Sequence, residues 1–440
     1  MQSLKFSSLK LFFSLCLVIL SFGSLKVFAQ VIVLKDAKDA PVPIAIQGFL
    51  HDKLAKEAID LEATLTADLI FSRLFKVIPS EAYLEDEIRG GIENIQVGSW
   101  RQVGADYLVR AKVTRGGNGI ELSGYVFSIL SGQLVLQSRY TTKKRNYEVL
   151  AHQFGDDIVK IVTGEEGLFS TKIAFAYQPP IAGRNKEIWM MDFNGRNEEP
   201  IVQNGRVNLS PAWTRDGKAL VFSSAALKDW HLWITDLKGK SRQISKFPGS
   251  ALGPAMLPNG KEMVVALSKD GNPELYVMNF KGEIRERLTK RNAIDIGPSV
   301  SPDGKRICFS SGQLGALHIF EMELKPNAKA NRLTRVGSLN DSCAWHPTEN
   351  WILFSGLDLD REFDIFKMNA SGNNMSRLTY DAKNNETPNW SPDGNLIVYS
   401  SRETGRNEIW VMKADGTQKS KITNLPGDAS QPDWSPRLGY

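Results

Sequence analysis

The chain has 440 residues, with 54 Lys+Arg against 49 Asp+Glu, 42% hydrophobic residues, 36 Gly, 20 Pro and 3 Cys. This length suggests two or three domains with sizeable cores, and the apolar content and near-balanced charge exclude a disordered chain, a collagen and a small disulfide scaffold.

Residues 1–29 read as a secretory signal peptide: Lys5 and Lys10 precede an apolar run from Leu11 to Leu20, and Val27-Phe28-Ala29 offers a small-residue cleavage site. Ser14, Ser21 and Ser24 interrupt the apolar stretch, which falls short of the ~20 residues that span a bilayer. Cys16 lacks the small residue before it that lipid attachment would need. Cleavage after Ala29 removes three lysines and no acid, leaving 51 basic against 49 acidic residues. The longest basic run, Lys143-Lys144-Arg145, reads as a solvated hairpin end, so no nucleic-acid partner is expected.

Residues 30–167 alternate strands and helices. Ile44–Ile46 and Lys76–Ile78 are strand candidates, and Leu54, Ala58, Leu61, Leu65 and Leu69 fall on one helical face. A three-strand meander follows at 107–114, 121–129 and 133–140, then a helix from Tyr147 to about Val162. The pattern predicts a small α/β domain whose leucine stripe faces its own core. Gly164-Glu-Glu-Gly167 reads as the linker to residues 168–440.

Those later residues repeat. Pro211-Ala-Trp213-Thr-Arg-Asp-Gly217, Pro254-Ala-Met-Leu-Pro-Asn-Gly260, Pro298-Ser-Val-Ser-Pro-Asp-Gly304, Cys343-Ala-Trp345-His-Pro347, Pro388-Asn-Trp390-Ser-Pro-Asp-Gly394 and Pro432-Asp-Trp434-Ser-Pro436 begin 43, 44, 45, 45 and 44 residues apart. A second track, including Ile188-Trp-Met-Met, Leu275-Tyr-Val-Met and Ile409-Trp-Val-Met, keeps the same step. Proline presets φ in the turns, Asp or Asn bonds nearby amides, and glycine takes the left-handed conformation. Arg-Leu-Thr at 287–289, 332–334 and 377–379 ends an outer strand. Each unit therefore supplies four strands, and six such units make a six-bladed β-propeller. The repeat starts at Lys172 without a Pro-x-Trp strand and ends with an unpartnered one at Pro432–Pro436, so the C-terminal strand is expected to close the ring.

Recognisable catalytic chemistry is missing. There is no Gly-x-Ser-x-Gly, His-Glu-x-x-His or Cys-x-x-Cys, and Gly239-Lys240-Ser241 lacks the upstream glycine of a phosphate loop. His51, His152, His231, His318 and His346 show no ligand spacing, and Trp189, Trp233 and Trp410 recur with the blade as core residues. No cofactor or metal is expected. Cys308 and Cys343, the two cysteines beyond residue 29, are oxidisable in an extracytoplasmic compartment but read as independent packing residues.

The signal peptide, the α/β domain and six blades carrying Pro-x-Trp-Ser-Pro-Asp-Gly, Ile-Trp-Val-Met and Arg-Leu-Thr together resemble the TolB family, periplasmic components of the Tol-Pal cell-envelope system, over the whole chain. The resemblance implies a monomeric, non-catalytic periplasmic scaffold that supports outer-membrane integrity and constriction at cell division. Its propeller would bind the peptidoglycan-associated lipoprotein Pal, and its mature N-terminus would bind TolA. Here that terminus is Gln30, Val31, Ile32, Val33, Leu34, Lys35 and Asp36, whose alternating apolar residues suit strand addition to a partner sheet, or equally an edge strand of their own domain. Pal binding would alter the exposure of this segment. For Pal, the loops entering the inner strands contribute Asn208, Ser250, Asp295, Asp341, Glu386 and Asp428, an acidic rim suited to a basic patch. The fourth repeat departs from the pattern at His346-Pro-Thr-Glu-Asn350, which puts that turn in doubt. The alternative is a periplasmic propeller enzyme, polysaccharide lyase-like and acting on glycans, in which His318 and His346 would converge on a divalent metal.

Overall fold

The computed structural model describes residues 40–440 except 86–87, 89, 118, 144–145, 182, 227–228, 336, 358–360, 381–382 and 440. The expected signal peptide and the segment 30–36, expected to bind TolA, lie outside the described residues. The leucine stripe forms helix α1 (Ala55–Ser72), and Leu54, Ala58, Leu61, Leu65 and Leu69 are all buried. The strands of this first domain are β1 (Val42–Ile46), β2 (Leu50–His51), β3 (Phe75–Val77), β4 (Tyr107–Gly116), β5 (Gly119–Ser128) and β6 (Gln133–Thr142). They form one sheet in the order β3-β1-β4-β5-β6, with β2 beside β4. β1 runs parallel to β3 and β4, and the rest of the meander is antiparallel. The closing helix, α2 here (Glu148–Thr163), packs Phe154 and Ile158 with α1 in one core. A short helix at Val97–Gln102 was not expected: six residues are too few to show a period, and its anchor is the single buried Trp100.

The predicted linker is bound rather than free. Gly164 (φ 79°) ends α2 in the left-handed conformation that glycine tolerates. Just beyond it, the Asp156 carboxylate accepts the N–H groups of Phe169 (2.7 Å) and Ser170 (3.1 Å), while Arg437 donates to the carbonyls of Gly167 (2.8 Å) and Glu166 (3.0 Å). A seam of side chains continues from there. His152 Nδ1 lies 2.6 Å from Asp68 on α1, and its Nε2 lies 3.8 Å from Asp192 of the propeller, which also pairs with Lys172. Asn194 donates to Asp68 (2.7 Å), and Phe193 stacks on Phe169 with centroids 5.1 Å apart.

Six four-stranded antiparallel sheets follow. Blade 1 joins Asp428–Trp434 to Lys172–Gln178, Glu187–Asp192 and Glu199–Val202, so the C-terminal strand closes the ring. Trp434 clamps it by donating its indole N–H to Thr171 Oγ1 (2.8 Å). The inner strands of blades 2 to 6 are Asn208–Trp213, Ala251–Met256, Asp295–Val300, Leu339–Trp345 and Asn385–Trp390.

The repeated motifs have local structural causes. The Arg-Leu-Thr threonine accepts a third-strand backbone N–H in successive blades: Leu275 to Thr289 (3.0 Å), Ile319 to Thr334 (3.0 Å) and Ile365 to Thr379 (2.9 Å), with Ser245 taking Leu232 (2.8 Å) in blade 2. Its arginine pairs with an acid at the start of the third strand, Arg287 with Glu274 and Arg377 with Asp364. In blade 4 that place is taken by His318, which accepts from Arg332 (3.0 Å) at Nε2 and meets Asn340 (3.1 Å) at Nδ1. A ring nitrogen that accepts from a guanidinium is unprotonated, and burial followed by the Arg332 charge pushes the His318 pKa down.

Two expectations are settled differently. Cys308 and Cys343 form a disulfide with Cα atoms 6.4 Å apart, joining the second strand of blade 4 to the inner strand of blade 5. Adjacent blades bring together residues that sequence spacing cannot pair. The departing turn of the fourth repeat is intact: His346 Nδ1 accepts the N–H groups of Thr348 (3.2 Å) and Glu349 (2.9 Å), the kind of role that Asp303 and Asp393 fill elsewhere.

Candidate partner-binding face of the propeller

Strand direction fixes two ends for the ring. The turns between first and second strands and between third and fourth strands share one end. The turns between second and third strands, and the passages from one blade to the next, share the other. Among the described residues, the polar contacts made by the first domain are at the former end: Asp192, Asn194 and Asn197, Asn395 with Glu165, Ser420 with Arg73, and Arg437. The opposite end carries the starts of all the inner strands.

All six rim candidates lie at that opposite end, but their side chains do not form a common surface. Every inner strand has a bulge with positive φ, at Ser210, Gly253, Gly297, Ser342, Thr387 and Gln431. Counted from the bulge, Asn208 and Asp295 are two residues before it, Asp341 and Glu386 one, and Ser250 and Asp428 three. Side-chain direction alternates along a strand, so these positions point differently. Asn208 is buried and donates to the Lys186 carbonyl (2.8 Å); buried Asp295 takes Arg291 (3.3 Å). Asp341 accepts the Ser310 hydroxyl and the Ser342 N–H, both at 2.6 Å, and Asp428 accepts the Asn407 N–H (2.8 Å). The Ser250 N–H donates to Ser268 Oγ (2.7 Å). Glu386 is half-buried, and burial followed by the neighbouring Asp341 charge pushes its pKa up. The acidic character of the rim is therefore largely used within the fold.

Sequence reading missed what this end does expose. Among the described residues of the propeller, the large apolar side chains left exposed are Ile181 (98%), Leu314 (57%), Tyr380 (55%) and Ile294 (47%). All four sit in loops of this end. The signal was available for Tyr380, which directly follows an Arg-Leu-Thr segment.

A cavity of 590 Å³ runs along the ring axis, lined by the inner strands of all six blades and including Trp213, Trp390, Arg215 and His346. Asp433 lies half-buried in its wall, accepting the Trp213 N–H (2.7 Å) and the Asn389 amide (2.5 Å), and desolvation pushes its carboxyl up to about 7. His318 and His346 do not converge: the first is held between Arg332 of blade 4 and Asn340 of blade 5, and the second caps a turn of blade 5. Among the described residues there is no group of three or more His, Cys, Asp or Glu arranged to hold a metal ion.

Comparison with known proteins agrees with this two-domain architecture. Residues 30–135 match the TolB amino-terminal domain and residues 159–438 the TolB beta propeller domain. A TolB homolog of Chlorobium luteolum is 27% identical over 385 residues, 87% of each chain. The Tol-Pal system protein TolB of Desulfosudis oleivorans is 32% identical over 255 residues, 57% of this chain and 58% of that protein. The crystal structure of TolB from Acinetobacter baumannii matches with a TM-score of 0.77 at 25% identity, covering 91% of this chain and 98% of that one. With both domains matched in order and the six blades closed by the C-terminal strand, the chain belongs to the TolB family.

Proposed function

We propose that this chain is a non-catalytic periplasmic scaffold of a Tol-Pal cell-envelope system. The propeller end opposite the first domain binds Pal, residues 30–36 bind TolA, and the assembly supports outer-membrane integrity and constriction at division. The observation that carries the reading is the segregation of the propeller's exposed apolar side chains: among its described residues, Ile181, Ile294, Leu314 and Tyr380 all lie on the face that the first domain leaves open. Large apolar residues gathered on one face, rather than scattered singly over the surface, mark a protein-binding surface. The closed ring supplies a rigid platform, since every inner strand is paired and clamped, so binding costs little ordering of backbone.

Calorimetric titration of residues 30–440 with the soluble domain of the cognate Pal tests the first half. Saturable one-to-one binding that weakens in Tyr380→Ala/Leu314→Ala supports it, and no heat with a folded partner refutes it. For the second half, TolA binding is lost when residues 30–36 are deleted; unchanged binding of TolA to the shortened chain rules that assignment out.

A further inference from the structure

Five of the six passages from one blade to the next carry an exposed cation on the open face: Arg206, Lys246, Lys290, Arg335 and Lys383. Three further cations of this face serve the fold instead: Arg287, Arg291 and Arg377 are drawn onto Glu274, Asp295 and Asp364. The five form no ion pair with any carboxylate among the described residues. In the loops of this end, including the turns between second and third strands, the exposed acids among the described residues are Asp270 and Glu403, and Asp270 is already held by Lys269 and Arg287. Lys246, Lys290 and Arg335 occupy one repeat position, directly after Ser245, Thr289 and Thr334. Those hydroxyls pin the outer strand to the third strand, so the following side chain is directed off the sheet at a fixed place. Tyr380 is the next member of that series, and Ile294 and Leu314 lie in blade 4 loops of the same arc.

We infer that this face selects an acidic protein surface: an apolar contact at Ile294, Leu314 and Tyr380, flanked by Lys246, Lys290 and Arg335, which attract and orient carboxylates of the partner. The inference rests on the reading of this face as the Pal site and replaces the expected acidic rim with a basic one. Interleaved apolar side chains favour a protein over a polyanion, because a phosphate backbone would leave them in water. Solvent-exposed cations act over roughly a Debye length of 8 Å at physiological salt, so they govern association rate more than the strength of the final contact.

The test is the association rate of the soluble cognate Pal domain with residues 30–440, measured by stopped flow at about 25 mM and about 300 mM NaCl, for the native sequence and for Lys246→Glu/Lys290→Glu/Arg335→Glu. The native rate should fall about tenfold or more with salt, and the triple variant should associate at least about tenfold more slowly at low salt with an unchanged thermal midpoint. A native rate that is insensitive to salt or rises with it, or a triple variant that associates as fast, overturns the inference while leaving Pal as the partner. If Pal does not bind the native chain at all, the Pal reading fails by itself. Retention on immobilised poly-L-aspartate then decides the charge question: native retained and triple variant not supports an acidic protein partner, equal elution overturns it. Tighter native binding to a DNA duplex than to poly-L-aspartate also overturns it.

Discussion

Replacing His152 with glutamine removes a cation clamped between two carboxylates that belong to different parts of the fold. Burial opposes the charge of His152, but the hydrogen bonds and charges of Asp192 and Asp68 outweigh it and raise the pKa to about 9. Asp192 is held at about 2: burial works against its charge, and His152 and Lys172 overcome it. Asp68 feels burial most, which raises its carboxyl against the pull of His152 and Asn194. A proton that leaves His152 at about 9 rather than 6.5 is bound about 3 kcal/mol more tightly in the folded state. Because the folded-state pKa is the higher, this stabilisation is complete below pH 6.5 and is lost as pH rises through about 9. Asp192 works in the opposite direction, lost only as pH falls through about 2, outside the range of the assay. Urea unfolding followed by circular dichroism should give His152→Gln a deficit of about 3 kcal/mol at pH 6, shrinking to below about 1 kcal/mol near pH 10. Taking the difference between the two proteins at each pH cancels the lysine and tyrosine titrations they share. A deficit that is the same at both values, or absent at pH 6, would refute the clamped-cation account.

His318→Asp should rebuild in blade 4 the arrangement of blade 5, where Asp364 receives Arg377, Thr379 and Asn385. The expected gain is about 1 kcal/mol at pH 7.5. It grows at pH 5.5, because a histidine with a lowered folded pKa loses stability as pH falls through the unfolded value of 6.5; a lower melting temperature for the variant at both pH values counts against the repeat logic. Cys308→Ser/Cys343→Ser should cost about 2–4 kcal/mol, read as a lower urea midpoint, and the native protein should show no thiol reactive to Ellman's reagent once residues 1–29 are removed. Two titratable thiols in the oxidised, unfolded protein would contradict the disulfide.

The six blades were legible because their markers are local. Ser-Pro-Asp-Gly closes a turn within a few residues, and the Arg-Leu-Thr hydroxyl reaches the neighbouring strand of its own blade, so each device recurs at a fixed spacing. The leucine stripe of α1 was legible for the same reason, since its period of 3.6 is set along one helix. The rim was only half legible. Its residues share one end of the ring, but the bulges at Ser210, Ser342 and Thr387 shift the alternation, and no local sequence feature marked whether Asn208 or Asp341 would face inward. The pairing of groups from different blades, or from the two helices of the first domain, left no trace in the spacing. Cys308 and Cys343 are 35 residues apart, Asp68 and His152 are 84 apart, and neither distance has any relation to a repeat length. Sequence alone determined the periodic part of this protein, where a residue's partner lies at a constant offset. Tertiary structure decided its disulfide, its charged seam and its exposed face, because each depends on which surfaces are left after the ring has closed.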